Sequence, residues 1–194
     1  MLNIKKGEPW VFWPSSICDS FPENPCNKIL SGDQSFEFSI DFRLVEDILQ
    51  QGTVFTLIPR YTGLDLFPNQ TVVTITFEDE VRYYRLPPMI SKGENSSIRF
   101  DHKPKQYIKV FINNEEVVSE SLHDKVFGIT ESPHIIFGAG NFPVNNFNLN
   151  YVELELLRFS VFQDGNILAD HFFEKQIFDK FVDITGNLNF IHKI

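Results

Sequence analysis

Large apolar side chains alternate with polar ones along much of this chain, at the two-residue period of a strand with one buried face. Residues 35–44, SFEFSIDFRL, give the cleanest case: Phe36, Phe38, Ile40, Phe42 and Leu44 fall on one side, and Ser35, Glu37, Ser39, Asp41 and Arg43 on the other. Ile108, Val110 and Ile112 alternate in the same way with Tyr107, Lys109 and Phe111. Asn113-Asn114 follows, a pair that tolerates left-handed dihedrals and closes a tight hairpin, with the return strand beginning at Glu115. Residues 71–78 and 81–86 read as a second hairpin around the charged turn Glu78-Asp79-Glu80, stopped by Pro87-Pro88. Residues 149–162, LNYVELELLRFSVF, read as a long strand whose parity changes near Leu157-Arg158, the mark of a bulge or bend.

The intervening stretches are less regular. Residues 1–34 read as an irregular leading segment that packs on the rest, with a short strand permitted at 10–13 between Pro9 and Pro14. Residues 45–51 suit a linker with a helical turn, and 52–58 a strand. Residues 60–70, with Gly63 and Pro68, read as a long loop, and 121–126 as a short helix. No Gly-, Ser- or Pro-rich linker divides the 194 residues, so one domain spanning 1–194 is the expectation. The 21 Phe supply the apolar area that two facing sheets need.

Several of these patterns resemble the concanavalin-like, laminin-G-type jelly rolls. The hairpin of 97–118 is similar to that family's signature hairpin, with Asn114 where the family has glycine. The strand of 35–44, the His134 to Phe137 run before Gly138-Ala139-Gly140, and Asp183-Ile184-Thr185-Gly186-Asn187 near the C-terminus resemble further elements of the family. The resemblance covers about residues 35–192 and implies an all-β, two-sheet antiparallel jelly-roll sandwich.

Charge and composition narrow the partners. A net charge of −9 argues against nucleic acid and anionic membrane surfaces, which need a basic face. No run approaches the ~18 apolar residues of a membrane span, and the leading residues lack a signal-peptide pattern. The expectation is a soluble protein, cytoplasmic as synthesised, or a virion or surface component. Abundant Phe, Ile, Asn and Lys fit an AT-rich coding sequence of a phage or low-GC bacterium. Cys18 and Cys26 bracket a Pro-punctuated loop and fit either a small disulfide or two free thiols.

Catalytic patterns are thin. The glucanases of the same fold carry three carboxylates on one strand as Glu-x-Asp-x-x-Glu, and this chain has no such run. Glu153 and Glu155 share a strand face about 7 Å apart without a third partner, and solvated faces explain them. The histidines His102, His123, His134, His171 and His192 show no metal-ligand spacing. An enzyme is not expected.

Binding chemistry is better represented. Gripping a sugar takes an aromatic face and planar amide or carboxylate groups against adjacent hydroxyls. Tyr61, Asp65, Asn141, Asn145, Asn146 and Trp13 supply those types. The family resemblance adds a rim Ca²⁺ site as a candidate, with Asp65 and Asn141 as its ligands. Tyr107, Lys109 and Phe111 face outward and must either bind something or be covered by another segment or subunit. The sequence therefore points to a non-catalytic recognition domain for a glycan on a cell surface or polymer. The alternative is a structural or assembly protein, a virion component or homo-oligomer, that keeps the fold without the sugar site.

Overall fold

The computed structural model describes residues 1–8, 10–12, 32–58, 61–127, 134–139, 150–173 and 191–193. All regular structure among them is β. One sheet contains β1 (Leu2–Ile4), β3 (Phe36–Leu44), β8 (Asn95–Lys103), β9 (Tyr107–Ile112), β10 (Glu115–Ser121), β12 (Leu154–Gln163) and β13 (Asn166–Phe172). Its order is β1-β12-β3-β8-β9-β10, with β13 also pairing β12. The other contains β2 (Trp10–Phe12), β4 (Gly52–Ile58), β5 (Thr62–Phe67), β6 (Gln70–Thr76), β7 (Val81–Leu86), β11 (His134–Phe137) and β14 (Ile191–Lys193). Its order is β14-β2-β11-β4-β5-β6-β7, and all of the pairings are antiparallel.

The alternation in β3 sets the architecture. Phe36, Phe38, Ile40, Phe42 and Leu44 are buried and the residues between them half-exposed, so the strand's apolar face must meet a second layer. That layer is the second sheet. Phe38 meets Phe55 of β4 edge-to-face at 5.4 Å, and Phe159 of β12 meets Phe137 of β11 likewise at 5.2 Å. Edge-to-face contact sets the positive rim of one ring against the negative face of the other. Burying each Phe contributes about 2–3 kcal/mol, so these rings clamp the two sheets together.

The turns follow local chemistry. Asn113 and Asn114 sit at φ +51° and +67°, the paired left-handed dihedrals of a two-residue hairpin between β9 and β10. The expected irregularity in the long strand is a bulge: the β12–β3 register shifts between Leu156 and Arg158.

Four expectations need correction. Residues 60–70 are not a loop, because β5 occupies 62–67 and pairs both β4 and β6. Gly63 reads as a turn signal but is a close approach: a Cβ there would lie 2.4 Å from the Phe55 carbonyl oxygen. No helix forms at 121–126, where β10 runs through Ser121 into a turn and Leu122 is buried. No helical turn forms at 45–51, whose residues make bends. The leading segment is not wholly irregular, since β1 pairs β12 with Leu2 opposite Leu156.

Candidate functional site

Of the six residues expected to bind, Tyr61 and Asp65 lie within the described structure. Trp13, Asn141, Asn145 and Asn146 fall outside the described residues, as does the 181–187 motif. The structure brings Tyr61 and Asp65 together. The Tyr61 hydroxyl donates to Asp65 Oδ2, and the Thr53 hydroxyl donates to Asp65 Oδ1. Asp65 is buried, and burial together with its negative charge pushes the Tyr61 phenol up, keeping it a donor. Both oxygens of this carboxylate are thus engaged by protein hydroxyls, and the trio fastens β4, β5 and the chain before β5 to one another. Among the described residues, no three His, Cys, Asp or Glu side chains gather as they would around a metal ion.

The other acidic candidates are paired. Glu155 lies 3.3 Å from Arg43, and the Lys6 backbone amide donates to Glu153. Glu80 is bound by Arg82 at 2.8 Å and Lys125 at 2.9 Å, and these two hydrogen bonds hold its carboxyl below the ordinary range. The outward aromatics of β9 are half-buried beneath cations. The Arg99 guanidinium lies 4.0 Å over the Phe111 ring, and the Lys109 ammonium lies 5.6 Å over Tyr107 and 2.7 Å from Glu116.

A groove of about 450 Å³ opens instead at one end of the outward face of the first sheet. It is built from a row of opposed residues. Phe172 of β13 stands opposite Arg158 of β12, Arg158 opposite Asp41 of β3, and Asp41 opposite Ser97 of β8. The Asn113-Asn114 turn completes the row, tied to it by the Asn113 amide donating to the Ser97 carbonyl oxygen at 2.9 Å. Strands ~4.8 Å apart make such a row roughly 19 Å long, enough for an extended ligand. The bulge creates it: the extra residue at Leu157 lets Leu156 and Phe159 both face the core while Arg158 turns outward beside Asp41.

The groove's groups divide into those already engaged and those left open. Asn113 is engaged, accepting from the Ser97 amide at 2.9 Å and donating to the Met89 carbonyl at 3.1 Å. Asn95 accepts from Arg43 at 3.0 and 3.1 Å, and among the described residues nothing accepts from its amide N–H groups. Arg158 grips Asp170 of β13 through two nitrogens, at 2.9 and 2.7 Å, and its guanidinium lies 4.3 Å over the Phe172 ring. Phe172 remains 38% exposed, a large apolar surface at the groove wall. Asp41 is half-buried, and among the described residues no group donates a hydrogen bond to it. Burial raises its carboxyl pKa; Arg158 opposes that shift and Asp170 reinforces it. The groove therefore combines a flat aromatic–guanidinium wall, open amides and an acceptor-only carboxylate.

The fold is an all-β antiparallel sandwich of two sheets. No protein-family model matches the sequence, and no curated protein matches it. Solved structures do match. Botulinum neurotoxin type C, described as dependent for its passage into cells on interaction with two ganglioside molecules, is similar over 83% of this chain and 37% of its own, at 15% identity and a TM-score of 0.53. The binding domain of botulinum neurotoxin DC in complex with rat synaptotagmin II is similar over 72% of this chain and 34% of its own, at 14% identity and a TM-score of 0.50. The serotype D/C VPI 5993 binding domain gives 71% and 34%, again at 14% identity and a TM-score of 0.50. This chain spans about a third of the length of those chains, and what it shares with them is the fold.

Proposed function

We propose that this chain is a non-catalytic recognition domain, a jelly roll of the concanavalin type, that binds a glycan as part of a surface-attached protein. The observation that carries the reading is the row Phe172–Arg158–Asp41–Ser97, which sets a flat wall beside groups suited to hydroxyls. Aromatic surface suits the C–H faces of a sugar ring, and amides and carboxylates suit its paired hydroxyls. Asp41 spends desolvation energy that no described protein donor returns, and a ligand hydroxyl would supply the missing bond. The similar solved structures support the reading in kind, since one is described with gangliosides and others as binding domains.

A glycan array probed with the full chain tests it. Binding to at least one glycan class should appear and fall about tenfold, roughly 1.4 kcal/mol, with Asp41→Ala. Silence across a broad array, or binding unaffected by Asp41→Ala and Phe172→Ala alike, would refute the site.

A further inference from the structure

The outward face of the first sheet carries a second groove, of about 360 Å³, four residues back along β3. Glu37 faces it there, about 13 Å from Asp41 at the rise of a strand. Asp101 of β8 lies directly opposite Glu37 on one side and Phe162 of β12 on the other. Tyr107 donates to Asp101 at 3.3 Å, and the Asp164-Gly165 turn closes the end. Each groove thus sets a carboxylate of β3 near an aromatic ring of the β12–β13 hairpin, Phe162 directly opposite Glu37 and Phe172 two strands from Asp41. Midway between them lie Ser39 and Ser160, whose hydroxyls bond to each other at 2.7 Å. Along β3 and β12 these small side chains separate the grooves, and Arg99, opposite Ser39 on β8, is turned toward β9 over Phe111.

Charge distinguishes the ligand. Asp170 takes both paired hydrogen bonds of Arg158, so Asp41 has that guanidinium opposite it in the ladder but, among the described residues, receives no hydrogen bond. In the second, Glu37, Asp101 and Asp164 face Lys103, while Lys109, opposite Asp101, is bound by Glu116 and Arg99 lies over Phe111. Among the described residues no donor bonds the Glu37 carboxylate. Burial raises its pKa, as it does for Asp41; nearby Arg99 opposes the shift and Asp101 adds to it. Two desolvated carboxylates at a fixed spacing on one strand are costly while no charged donor bonds them, and the nearby guanidiniums of Arg158 and Arg99 are turned to Asp170 and Phe111.

We propose that the two grooves hold one extended glycan bearing free amino groups, whose ammonium ions face Asp41 and Glu37. This deepens the glycan reading and rests on it. An anionic sugar would bring its carboxylate against these two carboxylates, so the same arrangement disfavours it.

Titration calorimetry with four probes tests this: a glucosamine hexamer, its fully N-acetylated form, lactose and sialyllactose. The free-amine hexamer should bind at least tenfold tighter than the N-acetylated one, and sialyllactose weakest. Asp41→Asn and Glu37→Gln should each weaken the amine hexamer about fivefold, and the double variant more than either, with the melting temperature no lower than that of the wild type. Asp79→Asn, in the exposed turn of the other sheet, is the control for simple net-charge attraction. Equal weakening by Asp79→Asn, or tighter binding of the N-acetylated or sialylated probe, overturns the amine assignment while leaving a glycan site in place. Sensitivity to Asp41→Asn without sensitivity to Glu37→Gln confines the ligand to one groove and overturns the extended mode. Binding of none of the four, together with a silent array, removes the recognition reading and this inference with it.

Discussion

Arg158 stands opposite Asp41 in the β12–β3 ladder, yet its paired hydrogen bonds go to Asp170 on β13, at 2.9 Å from Nε and 2.7 Å from Nη2. Two parallel charge-assisted bonds outweigh a single cross-strand attraction, and Asp170 is the more buried carboxylate. The cation therefore neutralises the interior acid and leaves the groove acid open. One choice of partner stabilises the edge hairpin and polarises the site.

That arrangement makes an asymmetric prediction for stability. Arg158→Met takes the guanidinium from a buried carboxylate and should cost about 2–3 kcal/mol, less than the roughly 3–5 kcal/mol of a fully buried pair, because Arg158 is partly exposed. Asp170→Asn leaves the guanidinium able to reach water and should cost nearer 1 kcal/mol. Urea unfolding of the two variants measures the difference. Arg158→Lys should recover little, since an ammonium cannot make the bidentate contact.

The turn that borders the groove can be separated from it. Asn114 occupies a left-handed position that glycine adopts without strain, so Asn114→Gly should change stability by no more than about 0.5 kcal/mol. Asn113→Ala should cost about 2 kcal/mol, because it forfeits the bonds to the Ser97 amide and the Met89 carbonyl and keeps a β-carbon at φ +51°. Equal costs for the two would mean that the side-chain bonds of Asn113 contribute nothing.

Those two asparagines were legible in the sequence, as were the alternation of β3 and the bulge at Leu157, because each is a local signal read over a few residues. What the sequence hid were features decided by distant partners. Gly63 looks like a loop residue until the Phe55 carbonyl is seen against it. Tyr61 and Asp65 carry the right chemistry for a site, but the hydroxyl of Thr53 arrives from β4 and closes them into a buried clasp. Asp41 of β3 is far along the chain from the β12–β13 hairpin that carries Arg158 and Phe172, and only register places the three in a row. One signal was present and unread: Asp164-Gly165 is a strong two-residue hairpin pair, adopting φ +48° and +80°. Reading it would have revealed β13, and with it Phe172.

The core predicts a pH dependence. His102 is buried between the rings of Phe36 and Phe127, its Nδ1 2.9 Å from the Gln34 carbonyl oxygen. Burial lowers its pKa from 6.5 to about 4, the Gln34 bond opposing part of that shift. Between those values the unfolded chain binds the proton and the folded one does not. The contribution of His102 is therefore intact above pH 6.5 and is lost as pH falls toward 4, by about 3 kcal/mol in all. Glu37 and Asp41, whose carboxyls are raised, act in the opposite sense, gaining stability as pH falls. Comparing wild type with His102→Phe isolates the histidine: the variant should lose much less stability between pH 7 and 4, and parallel curves would exclude the assignment.

Phe172 offers a test of whether the groove wall exists for a ligand or for the fold. A core phenylalanine costs about 3–5 kcal/mol to truncate, as Phe38→Ala should here, since its ring packs on Phe55 and Phe100 with no exposure. Phe172 sits on the outward face of an edge strand, 38% exposed, with one described ring partner, the Arg158 guanidinium. Phe172→Ala should therefore cost only about 1 kcal/mol, the scale of an exposed cation–π contact and modest lost area. If the ring is there to meet a sugar, the same substitution should weaken glycan binding at least tenfold, while Phe172→Tyr, which keeps the flat surface, should retain most of it. Thermal melts and binding isotherms on the three proteins decide between the roles. A loss of stability matching Phe38→Ala with no separate loss of binding would make Phe172 a structural residue and the groove a by-product of the bulge.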